Sequence, residues 1–465
     1  MNHLSAAHLI IGAEINLPFK APRSSIPLLT EMIPNIHGSR LESEILPSLS
    51  NLIIVDNSAG RVDSSPIRSV LPYQNVLEDG GTGRPVFDQS LQPTECINLQ
   101  FTSGTTGNPK AAELTHIGIL NNGIQIGDRM LLTPADVVCV PPPLHHCFGS
   151  VLGYMATVTH GSAIVFPSEA FDPLLSLRAV QDYGCTALYG VPTMFLAELE
   201  LLSDGKVPRT GLGKLRTGIA AGSSVPSALM ARLHSELNLT ELTICYGMTE
   251  TSPVSCMTTT DDPLEKRLDS VGRLLPHVKA KVVDPIDRSK ILKVGERGEL
   301  AVNGYLVMRG YWEDKDKTDE VLQSDENGLK WMFTGDEAEM GPDGYVKITG
   351  RIKDLIIRGG ENIHPLEIEN CLLGHPGVNG VSIVGIKDER YGEVVAAFVV
   401  KRHGQEAATT ADSVRSFVKQ RLSSHLVPKY VFFVSDFPKT ASGKIQKFKL
   451  KKTGEELVKE GKGLE

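Results

Sequence analysis

The 465-residue chain has no apolar run that approaches the ~20 residues needed to cross a bilayer as a helix. It also lacks basic excess: 47 Lys and Arg against 55 Asp and Glu leave a net charge of −8, which argues against general nucleic-acid binding. Cysteine pairs are missing. The seven cysteines (Cys96, Cys139, Cys147, Cys185, Cys245, Cys256, Cys371) are odd in number and contain no Cys-x-x-Cys, so they read as free thiols in a reducing compartment. No His-Glu-x-x-His is present, and the adjacent His145 and His146 point to opposite faces of an extended chain, so no metal site is indicated there. The first Lys or Arg is Lys20, and Glu14 interrupts the only apolar stretch before it, which fits neither a secretory leader nor an Arg-rich transit peptide. The terminal Gly463-Leu464-Glu465 is not a peroxisomal tail, so a cytoplasmic location is expected, with peroxisome and mitochondrion left open. Repeats and low-complexity segments are absent. What remains, 41% hydrophobic and 22% charged residues, is the composition of a folded chain of about three domains.

Residues 1–95 carry the weakest pattern, with Leu52-Ile53-Ile54-Val55 as a buried strand candidate. From 115 to 260, strand-like runs (137–140, 163–166, 187–189, 242–245) alternate with helix-like segments at 173–183 and 226–237. Ser223 and Ser224 are candidate caps for the second helix, with Pro226 in its first turn. This rhythm predicts a parallel or mixed sheet covered by helices on both faces. After Ser270, short strands at 280–283, 298–302 and 345–348 between Gly and Pro turns predict a small antiparallel or barrel-like subdomain. From Gly350 a further unit begins, with helices at 365–373 and 411–422 and strands at 381–386, 394–400 and 431–434. The expected division is 1–350 as a large domain, including a barrel-like part at about 272–350, then 351–355 as a hinge and 356–465 as a small α+β domain.

The richest stretch is Thr102-Ser103-Gly104-Thr105-Thr106-Gly107-Asn108-Pro109-Lys110, which follows the alternating strand 97–101. Four hydroxyls, two glycines and a lysine within nine residues suit a triphosphate, because glycine lets backbone N–H groups converge on an anion. The spacing is not that of a Walker A loop. Taken alone, the segment reads equally as a flexible turn.

Five other patches can carry chemistry. Tyr246-Gly247-Met248-Thr249-Glu250 follows a strand, where side chains of an α/β sheet face the ligand crevice; it offers an aromatic for a base, a hydroxyl for a phosphate and a carboxylate for Mg²⁺, or, taken alone, reads as a polar loop. Trp331-Met332-Phe333-Thr334-Gly335-Asp336 ends in an acid that can accept ribose hydroxyls or cap a turn. Gly350-Arg351-Ile352-Lys353-Asp354 joins two textures and reads as a hinge or a charged linker. Gly359-Gly360 permits close passage of a narrow chain or simply turns. Pro438-Lys439-Thr440-Ala441-Ser442-Gly443-Lys444 presents Lys444 on a small-residue loop, where a solvated lysine is the plain alternative. His146, ahead of Cys147-Phe148-Gly149, can line an apolar pocket or sit satisfied in the core.

In this order and over about 97–452, these patches resemble the adenylate-forming superfamily. The nearest resemblance is to medium-chain acyl-CoA synthetases of the acyl-CoA synthetase family member 2 type, carried especially by the runs 354–363 and 442–447. The resemblance implies the superfamily's α/β large domain and mobile α+β lid. It implies an ATP-dependent ligase that makes an acyl-AMP from a medium-chain fatty or polyketide-like carboxylic acid, then transfers the acyl group to coenzyme A. By analogy, Thr102 to Gly107 and Lys110 hold phosphates, Thr249 and Glu250 act at the reacting end with Glu250 on Mg²⁺, and Tyr246 and Gly222 flank adenine. Asp336 and Arg351 take the ribose, and Lys444 bridges carboxylate and phosphate. Lys353 is the hinge, Gly359 and Gly360 line the coenzyme A path, and His146, Tyr189, Gly190 and Met248 fall at the acyl pocket.

Two departures accompany the resemblance. Ala111 follows Lys110 where the family usually has glycine, so a restricted turn is expected there. The family also has more chain ahead of the phosphate loop, so an N-terminally shortened large domain with an exposed sheet edge is expected. Two alternatives remain: a stand-alone adenylating ligase that loads a carrier protein in secondary-metabolite biosynthesis, and a truncated non-catalytic relative.

Overall fold

Side-chain alternation decides the largest sheet. The computed structural model describes residues 4–17, 20–80, 89–102, 109–222, 225–439 and 445–464. Seven strands lie in the order Arg273–Leu274, Val254–Met257, Glu241–Gly247, Thr217–Ala220, Ala187–Gly190, Val137–Cys139 and Ala163–Val165. Pairing is parallel from Glu241–Gly247 onward and antiparallel at the first two strands, so the sheet is mixed. Successive residues of each strand enter different cores. Cys139, Leu188, Ala220 and Leu242 pack under the helices Pro173–Tyr183, Pro192–Ser203 and Ser227–Leu237. Val138, Ala187, Tyr189 and Ile219 pack under the helix His116–Arg129 and the π-helix Phe148–Met155.

Helix boundaries have local causes. Pro173–Tyr183 starts on the expected proline. At the other expected helix, Pro226 is the N-cap residue itself, not a first-turn residue, and Asn238 closes the far end in the left-handed conformation. Ser223 and Ser224, the expected caps, lie outside the described residues. The π-helix was not visible as a period, because Phe148–Met155 contains two glycines. A Cβ on Gly149 would meet the Pro143 carbonyl oxygen at 2.3 Å, so this turn needs glycine to pass the preceding loop.

The strands between Ser270 and Arg351 pair antiparallel throughout, and the ladder stays open among the described residues. Lys279–Val283, Gly298–Asn303 and Lys330–Met340 run side by side, and the far edge of the long strand pairs with both Leu322–Ser324 and Val346–Arg351. Beyond them, Glu361–Ile363, Ile356–Arg358, Gly392–Lys401 and Val378–Asp388 form a sheet, with Tyr430–Phe433 added in parallel to Gly392–Lys401. Here too alternation sorts the faces. Ile383, Val395 and Val399 pack under Pro365–Leu373 and Ala411–Lys419, whereas Val384, Ile386 and Phe398 pack with Leu450 of Lys447–Lys459.

The contacts divide into two compact units: residues 1–92 with 168–172, and the rest. The first unit holds a parallel sheet of His8–Gly12, Asn51–Val55 and Val70–Pro72, in which the expected strand at 52–55 is central. Arg61 grips Glu14 with two hydrogen bonds of 3.1 and 2.8 Å. No helix among the described residues is long and apolar enough to cross a membrane.

Candidate functional site

The hairpin Cys96–Thr102 and Lys110–Thr115 sets the first wall. Its register pairs Thr102 with Lys110, so the intervening loop is closed at its base by those two residues. Ser103, Gly104, Thr105, Thr106 and Gly107 lie outside the described residues, as does Lys444. Thr102 Oγ1 is buried without a hydrogen-bond partner among the described residues, and a hydroxyl in that condition suits an incoming acceptor or donor. Lys110 and Ala111 belong to a strand, not to a turn, and Ala111 is packed in the interior. The expected restriction at Ala111 therefore does not arise, because an extended backbone carries a methyl freely.

The segment 309–312 runs along the outer side of this hairpin. Trp312 N donates to Ala111 O at 2.8 Å, Glu113 N donates to Gly310 O at 2.9 Å, and Ala112 bridges Tyr311. That pairing delivers the Tyr311 ring to Lys110. Lys110 Nζ donates to Tyr311 Oη at 3.0 Å and lies 4.1 Å from the ring centroid. Tyr311 Oη donates to Glu250 Oε1 at 2.7 Å. Burial pushes the Tyr311 phenol far above its ordinary range, and the Glu250 charge adds to this, so it stays a donor.

Glu250 stands in the short 3₁₀ turn Thr249–Thr251, just past the strand Glu241–Gly247. Its backbone carbonyl accepts from Met308 N at 2.9 Å, and the residue is buried. At the start of the same turn, Thr249 Oγ1 lies 3.8 Å from Cys147 Sγ, which is also 3.8 Å from His146 Nδ1. His146 Nδ1 accepts from Phe148 N at 3.0 Å, which leaves the proton of the neutral ring on Nε2. His146, Thr249 and Glu250 are thus brought to one end of the sheet.

A second tyrosine–acid pair parallels the first. Tyr246 Oη donates to Asp336 Oδ2 at 2.7 Å, and Arg351 Nε lies 3.3 Å from Asp336 Oδ1. Asp336 and Arg351 face each other across neighbouring strands, so the ladder register makes the pair. Loss of solvent first, and the Asp336 charge second, push the Tyr246 phenol well upward. Gly335 precedes Asp336 at φ +71, and its N–H donates to Glu299 Oε1 at 3.0 Å, which turns the acid toward Tyr246.

Lys353 follows in the 3₁₀ turn Ile352–Asp354. Crowding by protein around its ammonium lowers its pKa, and the like charge of Arg351 lowers it further; Lys110 contributes in the same sense. Gly359 (φ +61) and Gly360 (φ +89) form the two-residue hairpin between Arg358 and Glu361, so the left-handed backbone itself demands glycine at both. Gly222 (φ +91) follows the strand Thr217–Ala220 and is exposed. Tyr189 has no exposed surface, and its hydroxyl donates to Met130 Sδ at 2.9 Å. Its ring lies 6.1 Å from that of Phe148, so it supports the π-helix from inside the core. Gly190, next along the strand, is closed by Phe195, 3.1 Å from where its Cβ would be. Met248 packs at the edge of the antiparallel core.

The sequence reading missed Tyr311, Glu337 and His364. Glu337 accepts from Thr349 Oγ1 and lies 3.2 Å from His364 Nδ1, joining the long strand to the start of the helix Pro365–Leu373. No local pattern marks Tyr311 as a site residue; only the pairing of 309–312 with the hairpin places it there.

Residues 29–312 match the AMP-binding enzyme family, and residues 367–444 match the AMP-binding enzyme C-terminal domain. The chain is 44% identical over 451 residues to acyl-CoA ligase SID4 of Ajellomyces capsulatus, covering 96% of this chain and 75% of that protein. It is 38% identical over 437 residues to the human mitochondrial medium-chain acyl-CoA ligase ACSF2, covering 91% of this chain and 68% of that protein. Among solved structures, the ATP-bound MatB from Rhodopseudomonas palustris superposes with a TM-score of 0.74 at 28% identity, over 87% of this chain and 79% of MatB. The extent of these matches, laid over a lysine and two tyrosine-held acids at one end of a mixed sheet, shows that the chain belongs to the AMP-binding enzyme family, among the acyl-CoA ligases.

Proposed function

We propose that the protein is an ATP-dependent acyl-CoA ligase acting on a medium-chain carboxylic acid. The observation that carries this reading is a pair of tyrosine-held charge clusters, Lys110 and Glu250 on the Tyr311 hydroxyl and Arg351 and Asp336 beside the Tyr246 hydroxyl. In the first step a carboxylate oxygen attacks the α-phosphorus of ATP, the bond to the bridging oxygen breaks, and pyrophosphate leaves with its electrons. Lys110 offsets charge on the phosphates, and Lys444 bridges carboxylate and α-phosphate. Thr249 contacts the reacting phosphate, Asp336 accepts from the ribose hydroxyls beside Arg351, and Tyr246 and Gly222 flank adenine. In the second step the thiol sulfur of coenzyme A gives up its proton to solvent and attacks the acyl carbon, the bond from that carbon to the phosphate oxygen breaks, and AMP leaves with the electron pair. Rotation about 351–355, with Lys353 as the pivot, carries the domain 356–465 between the steps, and Gly359 and Gly360 border the thiol's path. His146, Gly190 and Met248 border the acyl chain, with Tyr189 behind them.

Glu250 fits a Mg²⁺ site of one kind. No group of three or more His, Cys, Asp or Glu able to hold a metal occurs among the described residues. A single buried carboxylate suits an ion that takes its other ligands from phosphates and water. Bound there, Mg²⁺ would offset charge on the departing pyrophosphate.

The test is incubation with ATP, Mg²⁺, coenzyme A and a series of acids from hexanoate to dodecanoate. AMP and acyl-CoA are expected in equal amounts. Lys444→Ala is expected to abolish acid-dependent pyrophosphate exchange while leaving transfer from supplied acyl-AMP largely intact. Absence of exchange with every acid would overturn the reading, and transfer only to a carrier protein would replace its second step.

A further inference from the structure

We propose that Tyr311 is a positioning residue whose phenol keeps Lys110 and Glu250 apart as two separate, usable charges. This rests on the reading above, in which the lysine serves phosphates and the glutamate serves a metal. The two side chains converge on one hydroxyl. Lys110 Nζ approaches it at 3.0 Å and Glu250 Oε1 at 2.7 Å. An ammonium can only donate and a carboxylate can only accept, so the single phenolic proton goes to Glu250 and the oxygen receives Lys110. The ring also lies against the ammonium, 4.1 Å from its centroid, which holds the lysine by a second attraction.

Tyr311 is itself fixed. It is buried, its N–H donates to Thr318 Oγ1 at 2.8 Å, and its backbone bridges Ala112. Thr318 Oγ1 in turn donates to Asp314 O at 2.8 Å. The hydroxyl therefore occupies the space between two opposite charges that would otherwise close on each other. A direct ion pair in this buried setting would be strong, because there is little water to screen it. It would also cancel both charges before any nucleotide arrived. A neutral hydroxyl satisfies both groups with hydrogen bonds that an incoming phosphate and cation can replace.

Calorimetric binding of α,β-methylene-ATP, which cannot be adenylated onto an acid, across a Mg²⁺ series tests this without turnover. Tyr311→Phe keeps the ring and removes the hydroxyl. Its affinity at saturating Mg²⁺ is expected to fall about 10-fold, as for loss of a charge-assisted hydrogen bond, with about fivefold more Mg²⁺ needed for half-maximal binding. Because the tyrosine acts through Glu250, adding Tyr311→Phe to Glu250→Gln should change the Mg²⁺ dependence by less than about twofold. Additive losses in the double variant, or wild-type Mg²⁺ dependence in Tyr311→Phe, would overturn the proposal. Should the Phe variant fold poorly, Thr318→Val releases the backbone anchor and leaves the hydroxyl. It is expected to raise the Mg²⁺ requirement in the same direction, and an unchanged requirement counts against the spacer role. Failure of the wild-type protein to bind the analogue at any Mg²⁺ level would instead remove the ligase reading beneath it.

Discussion

Two acids mark two regions of the same domain. Glu250, just past the strand Glu241–Gly247 of the mixed sheet, is buried but has a tyrosine hydroxyl on one oxygen. Glu198, in the helix Pro192–Ser203, is wholly buried among Phe195, Leu199 and Leu202, and neither of its oxygens has a hydrogen-bond partner among the described residues. Burial pushes the Glu198 carboxyl well above its ordinary 4.5. Asp336 repeats the first pattern, with Tyr246 as donor and Arg351 as counter-ion. The difference is one of preparation. Glu250 and Asp336 are aimed and partnered by residues distant in sequence, whereas the acid under the helices is buried with no hydrogen-bond partner among the described residues, at a cost to the fold.

The comparison can be broken most sharply at Glu250. Glu250→Gln is expected to reduce acid-dependent pyrophosphate exchange by about 100-fold or more, with the unfolding midpoint nearly unchanged. A large loss of stability with little loss of exchange would place Glu250 in the same class as Glu198.

Glu198→Leu is expected to do the reverse. Removing a buried carboxyl with unmet hydrogen bonds should raise unfolding stability by about 2 kcal/mol near neutral pH, with pyrophosphate exchange retained. The pH dependence has a definite sign. The unfolded chain loses the Glu198 proton above about 4.5 while the folded chain keeps it, so the wild type loses stability as pH rises through this window. The variant lacks that loss, so its advantage should be smallest near pH 4 and widen toward pH 8 in urea titrations. An advantage that shrinks with rising pH would contradict a protonated buried acid.

The smallest effect is expected at Tyr246→Phe. One hydrogen bond to Asp336 is lost, while Arg351 still holds the acid, so the KM for ATP should rise by about fivefold with a modest change in kcat. An unchanged KM would leave Tyr246 as core packing alone.

Much of the scaffold was legible because its causes are local. The helix Pro365–Leu373 begins on a proline and ends where its apolar spacing ends, and the alternation in Gly392–Lys401 reports two separate cores. The π-helix Phe148–Met155 was not legible, since the close approach of Gly149 to the Pro143 carbonyl belongs to packing and not to period. The parallel pairing of His8–Gly12 with Asn51–Val55 was hidden for a related reason: about forty residues separate the partners, and neither strand encodes the other. At the candidate site, Lys110, Glu250, Asp336 and Arg351 were legible as residue types beside glycine turns. Tyr311 was not, because an aromatic in a loop carries no local mark of the charges it will meet.

The chain by itself determined most of its strands and helices, its family and the side chains proposed for phosphate, ribose and metal, because periodicity, glycine turns and charge are properties of neighbouring residues. Tertiary structure alone decided which hydroxyl stands between Lys110 and Glu250, and which buried acid has no hydrogen-bond partner among the described residues. Those contacts join positions 201 and 61 residues apart, and they follow from strand register and helix packing that no short window of sequence contains.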